Sequence, residues 1–103
     1  MQICLFNGEK MTIKRAKIIV HGTVQGVYFR DYAKAEALKL GLAGWVKNLK
    51  NGKSVEAVVE GNAEQVVQMV KWLKQGSPGS VVTGVDISEE RPAGETAAFN
   101  IRF

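Results

Sequence analysis

The stretch RAKIIVHGTVQGVYFRDYAKAEALKL, residues 15–40, contains the change of pattern that decides the fold. Its first part alternates Ala16, Ile18 and Val20 with other side chains, which predicts a strand over residues 15–21. Its last part repeats apolar residues at helical spacing and predicts a helix over residues 28–40, ended by Gly41. The chain is therefore expected to pass from a strand through a short glycine-containing loop directly into a helix.

Arg30 lies in the first turn of this predicted helix, where a cation is unfavourable. The first N–H groups of a helix are unpaired and carry partial positive charge, so a guanidinium there costs stability unless an anion binds nearby. Successive loop N–H groups can converge on such an anion, and Gly26 permits the backbone angles that this needs. The planar donors of Arg30 suit phosphate oxygens. A glycine turn followed by a surface arginine would give the same pattern, so both interpretations stay open at this point.

The remaining elements follow from similar patterns. Strands are predicted over residues 42–48 and 53–60, joined by an Asn51-Gly52 hairpin turn. A second helix is expected between an N-cap at Asn62 and a stop at Gly76. Further strands are predicted over residues 81–88 and within the final TAAFNIRF, residues 96–103. The buried face of the second helix is expected to comprise Ala63, Val66, Val67, Val70 and Leu73, with Met69 and Trp72 flanking it as further core residues.

This order, β-α-β-β-α-β with a terminal strand added, predicts an α+β fold. The expected architecture is an antiparallel sheet with two helices packed on one face, the split βαβ arrangement. Because that architecture hosts many functions, it does not by itself identify an activity.

Composition limits the classes of protein that the chain can belong to. With 103 residues, 46% of them hydrophobic and 23% charged, it fits one globular domain. No apolar run is long enough to span a bilayer, and the patch at residues 3–6 follows no basic residue, so no membrane association and no secretory signal are predicted. We expect a flexible extension over residues 1–13, with Met11 as an alternative start, a single domain over residues 14–103, and a cytoplasmic location.

Several kinds of chemistry can be set aside. Cys4 and His21 are the only cysteine and histidine, so neither a disulfide nor a Cys/His metal cluster is expected, and no metal or cofactor is predicted. The loop lacks the Walker pattern. Its spacing from Val24 to Arg30 is similar to that of cysteine-based phosphatases, but valine stands where their thiolate would be, which excludes a phosphocysteine.

The net charge of +4 would attract small anions or nucleic acid. RNA-binding modules of this architecture stack bases on aromatic residues of the central strands. The predicted first and third strands present no aromatic residue, so no nucleic-acid partner is expected. The residues that these strands present are Ala16, Ile18, Val20, Val55, Ala57 and Val59.

Two separated motifs carry a resemblance to a known family. The first is Gly22-x-Val24-Gln25-Gly26-Val27-x-Phe29-Arg30. The second is Gly44-Trp45-Val46-Lys47-Asn48, followed by Gly52, Val55 and Gly61. Together they resemble the acylphosphatase family over about residues 14–103.

The resemblance implies a ferredoxin-like fold and metal-free hydrolysis of the carboxyl–phosphate bond of a small-molecule acyl phosphate. It implies that Arg30 binds the phosphate and that Asn48 positions the attacking water. The phosphate-binding residues that it implies are Val24, Gln25, Gly26, Val27, Tyr28, Phe29 and Arg30. Inorganic phosphate is then expected as product and competitive ligand, and the chain is expected to be a monomer. An inactive relative used for regulation is the alternative, which the intact Arg30 and Asn48 disfavour.

The sequence also indicates how few groups this reaction needs. The leaving group is a carboxylate, which is already a stable anion and requires no general acid. Neither motif contains a His, Asp or Glu suited to act as a base. We therefore expect direct in-line attack by water, with a phosphate oxygen of the substrate accepting the proton.

Overall fold

A five-stranded sheet covered on one face by two helices makes up the described part of the chain, residues 12–94 and 98–103 of the computed structural model. The elements follow one another as β1 (Ile13–Thr23), α1 (Phe29–Lys39), β2 (Ala43–Asn48), β3 (Ser54–Asn62), α2 (Ala63–Gln75), β4 (Val81–Glu90) and β5 (Phe99–Arg102). The predicted α+β class and βαββαβ order are confirmed. Ala97, expected in the terminal strand, lies outside the described residues, as do residues 1–11 of the expected extension.

The strands lie in the order β4-β1-β3-β2-β5. β1 pairs antiparallel with both β3 and β4, and β2 pairs antiparallel with β3, as expected of a split βαβ arrangement. β5 instead runs parallel to β2, so the sheet is mixed and the expectation of a wholly antiparallel sheet is corrected at this edge. The reason is geometric: β4 and β2 run in opposite directions, so a strand that reverses after β4 and then joins β2 must be parallel to it.

The core lies between the helices and the inner face of the sheet. Ala16, Ile18 and Val20 are all buried there, which confirms the alternation predicted for β1. Met69 is fully buried, which confirms its predicted place in the core, but the predicted face of α2 needs a correction at Val67, which is 54% exposed. Val66, Met69 and Leu73 follow the i, i+3, i+7 spacing of one helical face, and Val67 falls outside it.

A buried carboxylate on the outer face of the sheet holds the chain crossing between β4 and β5. Glu60, on β3, is 3% exposed and pairs with Arg15 of β1 at 3.0 Å. It also accepts the N–H groups of Ala93 and Gly94, at 3.0 and 2.9 Å. Burial raises the pKa of Glu60, but the Ala93 N–H, the Arg15 guanidinium and the Gly94 N–H together outweigh burial and hold the pKa below its usual value.

Candidate active site

The loop between β1 and α1 is anchored in the core at both ends. Val24 is buried at its start, and Phe29 is buried at its end with its ring centroid 5.5 Å from that of Trp72. These two apolar side chains fix the ends of the loop, residues 24–30, against the core, and Gly26 and Tyr28 between them are exposed. Because phosphate binding is predicted for this segment, we call it the phosphate loop.

Two residues of the phosphate loop have left-handed backbone angles. Gly26 has φ 78°, and Tyr28, the N-cap residue of α1, has φ 58° and ψ 26°. A bulky side chain is rarely found in that region. Among the described residues Tyr28 is the one non-glycine residue with positive φ. Alternation of left- and right-handed residues turns successive N–H groups toward a common centre, which is the geometry of a backbone anion site.

A pocket of about 330 Å³ opens at this loop. Its lining residues are Val24, Gly26, Tyr28, Phe29, Arg30, Asp31 and Asn48. Arg30 and Asn48, which the sequence places on separate motifs, therefore meet in one concavity. Two loop residues predicted for the site, Gln25 and Val27, do not line the pocket with the others. Val27 packs against the core, and the Gln25 side chain turns toward the β2–β3 turn.

Asn48 reaches the pocket because it ends β2, where it pairs with Val55 of β3. β3 lies between β1 and β2, and β1 and β2 run in the same direction, so the end of β2 and the loop after β1 share one end of the sheet. The turn after Asn48, residues 49–53, is closed by a bond from the Leu49 N–H to the Ser54 carbonyl, at 2.9 Å.

Arg30 is held by the C-terminal end of the described chain. Its Nη1 donates to the Arg102 carbonyl at 3.3 Å, and its guanidinium lies 4.7 Å from the ring centroid of Phe103. A guanidinium has several N–H donors, so this one bond leaves others for a phosphate. No local pattern could predict this contact, because the partners are 72 positions apart.

Asp31 also lines the pocket, and sequence analysis did not identify it. It stands in the first turn of α1, where the positive end of the helix stabilises a carboxylate. The feature of the sequence that could have indicated Asp31 is its position directly after the arginine of the first motif.

Neither a metal site nor a membrane span is found in the residues described. No group of three or more His, Cys, Asp and Glu side chains there could hold a metal ion. No helix in residues 12–94 and 98–103 is long and apolar enough to cross a bilayer.

Comparison with known proteins identifies the family. The family model described as Acylphosphatase matches residues 16–101. The chain belongs to the acylphosphatase family. It is 46% identical over 92 residues to the acylphosphatase of Aeropyrum pernix, covering 89% of this chain and 91% of that protein. It is 47% identical over 93 residues to the acylphosphatase of Syntrophobacter fumaroxidans, covering 90% of this chain and 95% of that protein.

Solved structures give the same assignment. The crystal structure of acylphosphatase from Bacillus subtilis superposes with a TM-score of 0.82 at 40% identity, covering 89% of this chain and 100% of that one. This similarity confirms the predicted ferredoxin-like fold. Acylphosphatases are enzymes that hydrolyse acyl phosphates, so membership also confirms the predicted enzyme class and its small-molecule substrate class.

Proposed function

We propose that the chain hydrolyses acyl phosphates in the pocket at the phosphate loop by direct attack of water. The observation that carries this proposal is that Arg30 and Asn48 line the same pocket, which is bounded by the loop that enters α1. The N–H groups of the loop and the Arg30 guanidinium bind the phosphoryl oxygens. They are fixed before the reaction, so they stabilise the charge of the transition state without reorganising.

Asn48 positions the attacking water. Its carboxamide both donates and accepts hydrogen bonds, so it can hold a water in line with the bond that breaks. The water oxygen bonds to phosphorus, the acyl oxygen–phosphorus bond breaks, and the carboxylate leaves with the bonding electron pair. The proton of the water passes to a phosphate oxygen of the substrate, so the products are a carboxylate and inorganic phosphate.

The test is hydrolysis of benzoyl phosphate, with and without a chelator, by the purified chain. We expect turnover that the chelator does not change and that inorganic phosphate inhibits competitively. Absence of turnover would overturn the proposed activity. Loss of turnover with the chelator, restored by a metal, would overturn the metal-free mechanism.

The proton step has its own test, because Asp31 is the carboxylate that lines the pocket. If the substrate accepts the proton, Asp31→Asn retains turnover within about tenfold of the original chain, since removing a general base typically costs about 100-fold or more. A larger loss that disappears when the reaction is run at high pH would assign the proton to Asp31 instead. Location in the cytoplasm and the monomeric state remain predictions.

A further inference from the structure

Gln25 belongs to the phosphate loop in sequence, but its side chain bonds another element. Its Nε2 donates to the Leu49 carbonyl at 2.8 Å and to the Ser54 carbonyl at 2.9 Å. These two carbonyls stand on either side of the β2–β3 turn, and Leu49 directly follows Asn48. Both N–H groups of the half-buried amide are therefore used to join the phosphate loop to the segment that carries Asn48.

Hydrogen bonds within the β2–β3 turn hold its residues together, so that the turn moves as one unit. The Leu49 N–H donates to the Ser54 carbonyl, and the Gly52 N–H donates to the Leu49 carbonyl. Inside the turn, the side chain of Asn51 accepts from the Lys53 N–H at 2.8 Å and donates to the Ser54 hydroxyl at 3.1 Å. A shift of the turn relative to the loop would thus move Asn48 with it.

We infer that Gln25 is a positioning residue that sets the distance between Arg30 and Asn48 by tying the phosphate loop to the β2–β3 turn. The inference rests on the proposed function, in which Arg30 binds the phosphoryl group and Asn48 aims the water. Gln25 suits the task because both partners are carbonyls, which require a neutral group with two N–H donors. Its side chain acts on the reaction through Asn48 alone, whereas the loop main chain and Arg30 bind the phosphate independently of it.

The variant Gln25→Met tests this role, because methionine has a similar length and no N–H donor. The chain should fold, since the Leu49 and Ser54 carbonyls each keep a backbone donor. With benzoyl phosphate we expect kcat to fall about 10- to 100-fold, in line with the cost of misplacing a reacting group by about 1 Å. The inhibition constant of inorganic phosphate should change less than about threefold. The matched control is Gln68→Met, at an exposed position of α2, which should leave both quantities unchanged.

A double-mutant cycle separates positioning from general structural damage. If Gln25 acts through Asn48, adding Gln25→Met to Asn48→Ala should lower kcat by less than about twofold. The same fold-loss in both backgrounds would overturn the inference, as would an unchanged kcat in the single variant. A loss of phosphate affinity in step with kcat would do the same.

A measurement without turnover keeps this inference distinct from the proposed function. In the original chain, titrated inorganic phosphate should shift the NMR signals of the loop amides and of the Asn48 side-chain amide. In Gln25→Met the loop signals should still shift while the Asn48 shift shrinks. If the Asn48 signal shifts equally in the original chain and in Gln25→Met, or does not shift in the original chain, the inferred role of Gln25 is overturned. If the original chain does not hydrolyse benzoyl phosphate, the proposed function fails, and the titration still decides the role of Gln25.

Discussion

Arg30 occupies a position whose electrostatic cost is offset when an anion binds. Its guanidinium stands at the positive end of α1 and is held by one long hydrogen bond to the Arg102 carbonyl and by the ring of Phe103. Phe103 is 98% exposed, so these contacts contribute little to the free energy of unfolding. The Arg30 side chain can therefore bind an anion with little effect on the free energy of unfolding.

The variant Arg30→Gln should lose activity while remaining folded. Glutamine keeps hydrogen-bonding capacity but lacks the charge and the planar fork, so we expect turnover of benzoyl phosphate to fall by roughly three powers of ten or more, as for other transition-state arginines. Competitive inhibition by inorganic phosphate should weaken in parallel, as steady-state kinetics would show. Arg91→Gln, at an exposed site outside the pocket, serves as the control. Normal hydrolysis by Arg30→Gln would remove Arg30 from the mechanism.

Substitution of Asn48 should lower turnover much more than it weakens phosphate binding. In the proposed mechanism Asn48 positions the water and does not bind the phosphate, so Asn48→Ala should lower kcat roughly 100-fold or more, the usual cost of removing one preorganised polar group. The inhibition constant of inorganic phosphate should change much less. Asn100→Ala on β5, an exposed asparagine outside the pocket, should alter neither quantity. An equal loss in phosphate affinity would assign Asn48 a binding role.

At the scale of the elements, the junction between the phosphate loop and α1 stores backbone strain at Tyr28. Its left-handed conformation costs an L-residue about 1–2 kcal/mol, and glycine adopts it freely. The side chain is 73% exposed, so few contacts would be lost on truncation. Tyr28→Gly should therefore raise the free energy of unfolding by up to about 1 kcal/mol, after the entropy that glycine adds to the unfolded chain.

A matched substitution at a tyrosine one helical turn away should instead lower the free energy of unfolding. Tyr32 lies inside α1 and is also exposed, so Tyr32→Gly should destabilise the chain by at least about 0.5 kcal/mol. Urea denaturation of both variants measures the contrast. If Tyr28→Gly destabilises the chain as much as Tyr32→Gly does, the left-handed angle is not a source of strain.

Helices, strands and loops that depend on local patterns can be predicted from a single sequence, whereas contacts between distant segments cannot. Alternation predicted β1, and the glycine-rich stretch that ends in Arg30 predicted the loop, because these signals are local. Val67 was predicted on the buried face of α2 and is exposed, since the orientation of a helix depends on what it packs against. The direction of β5, the turn of Gln25 toward Leu49 and the Arg102 contact with Arg30 all join distant segments. Nothing in the spacing of nearby residues specifies them.

At the scale of the whole molecule, Glu60 on the central strand β3 binds the segment of chain that leaves β4 at one edge of the sheet and leads to β5 at the other. Its carboxylate binds Arg15 of β1 and the Ala93 and Gly94 N–H groups, in the chain crossing that leads from β4 to β5. β5 in turn supplies the carbonyl that holds Arg30. Loss of charge on Glu60 should therefore loosen both the sheet and the contact that holds Arg30.

This connection predicts an acid-dependent stability. The pKa of Glu60 is lower in the folded chain than in the unfolded chain, so the unfolded state binds the proton more tightly. The stabilisation is complete above the unfolded pKa and is lost as the pH falls through the folded pKa. At neutral pH, Glu60→Gln should lower the free energy of unfolding by roughly 2–3 kcal/mol, because bonds to a charged acceptor are replaced by weaker ones. Glu89→Gln, which breaks an exposed pair with Lys14, should change it by less than about 1 kcal/mol.

Denaturant titrations at a series of pH values would measure this directly. The difference between the original chain and Glu60→Gln should be largest near neutrality and shrink below the usual glutamate pKa, as the original chain loses its charged acceptor. Glu89→Gln, which removes one partner of an exposed surface pair, is measured alongside as the control. A Glu60→Gln difference that stays constant with pH would show that shape and packing, rather than the charge of Glu60, hold the crossing chain against the sheet.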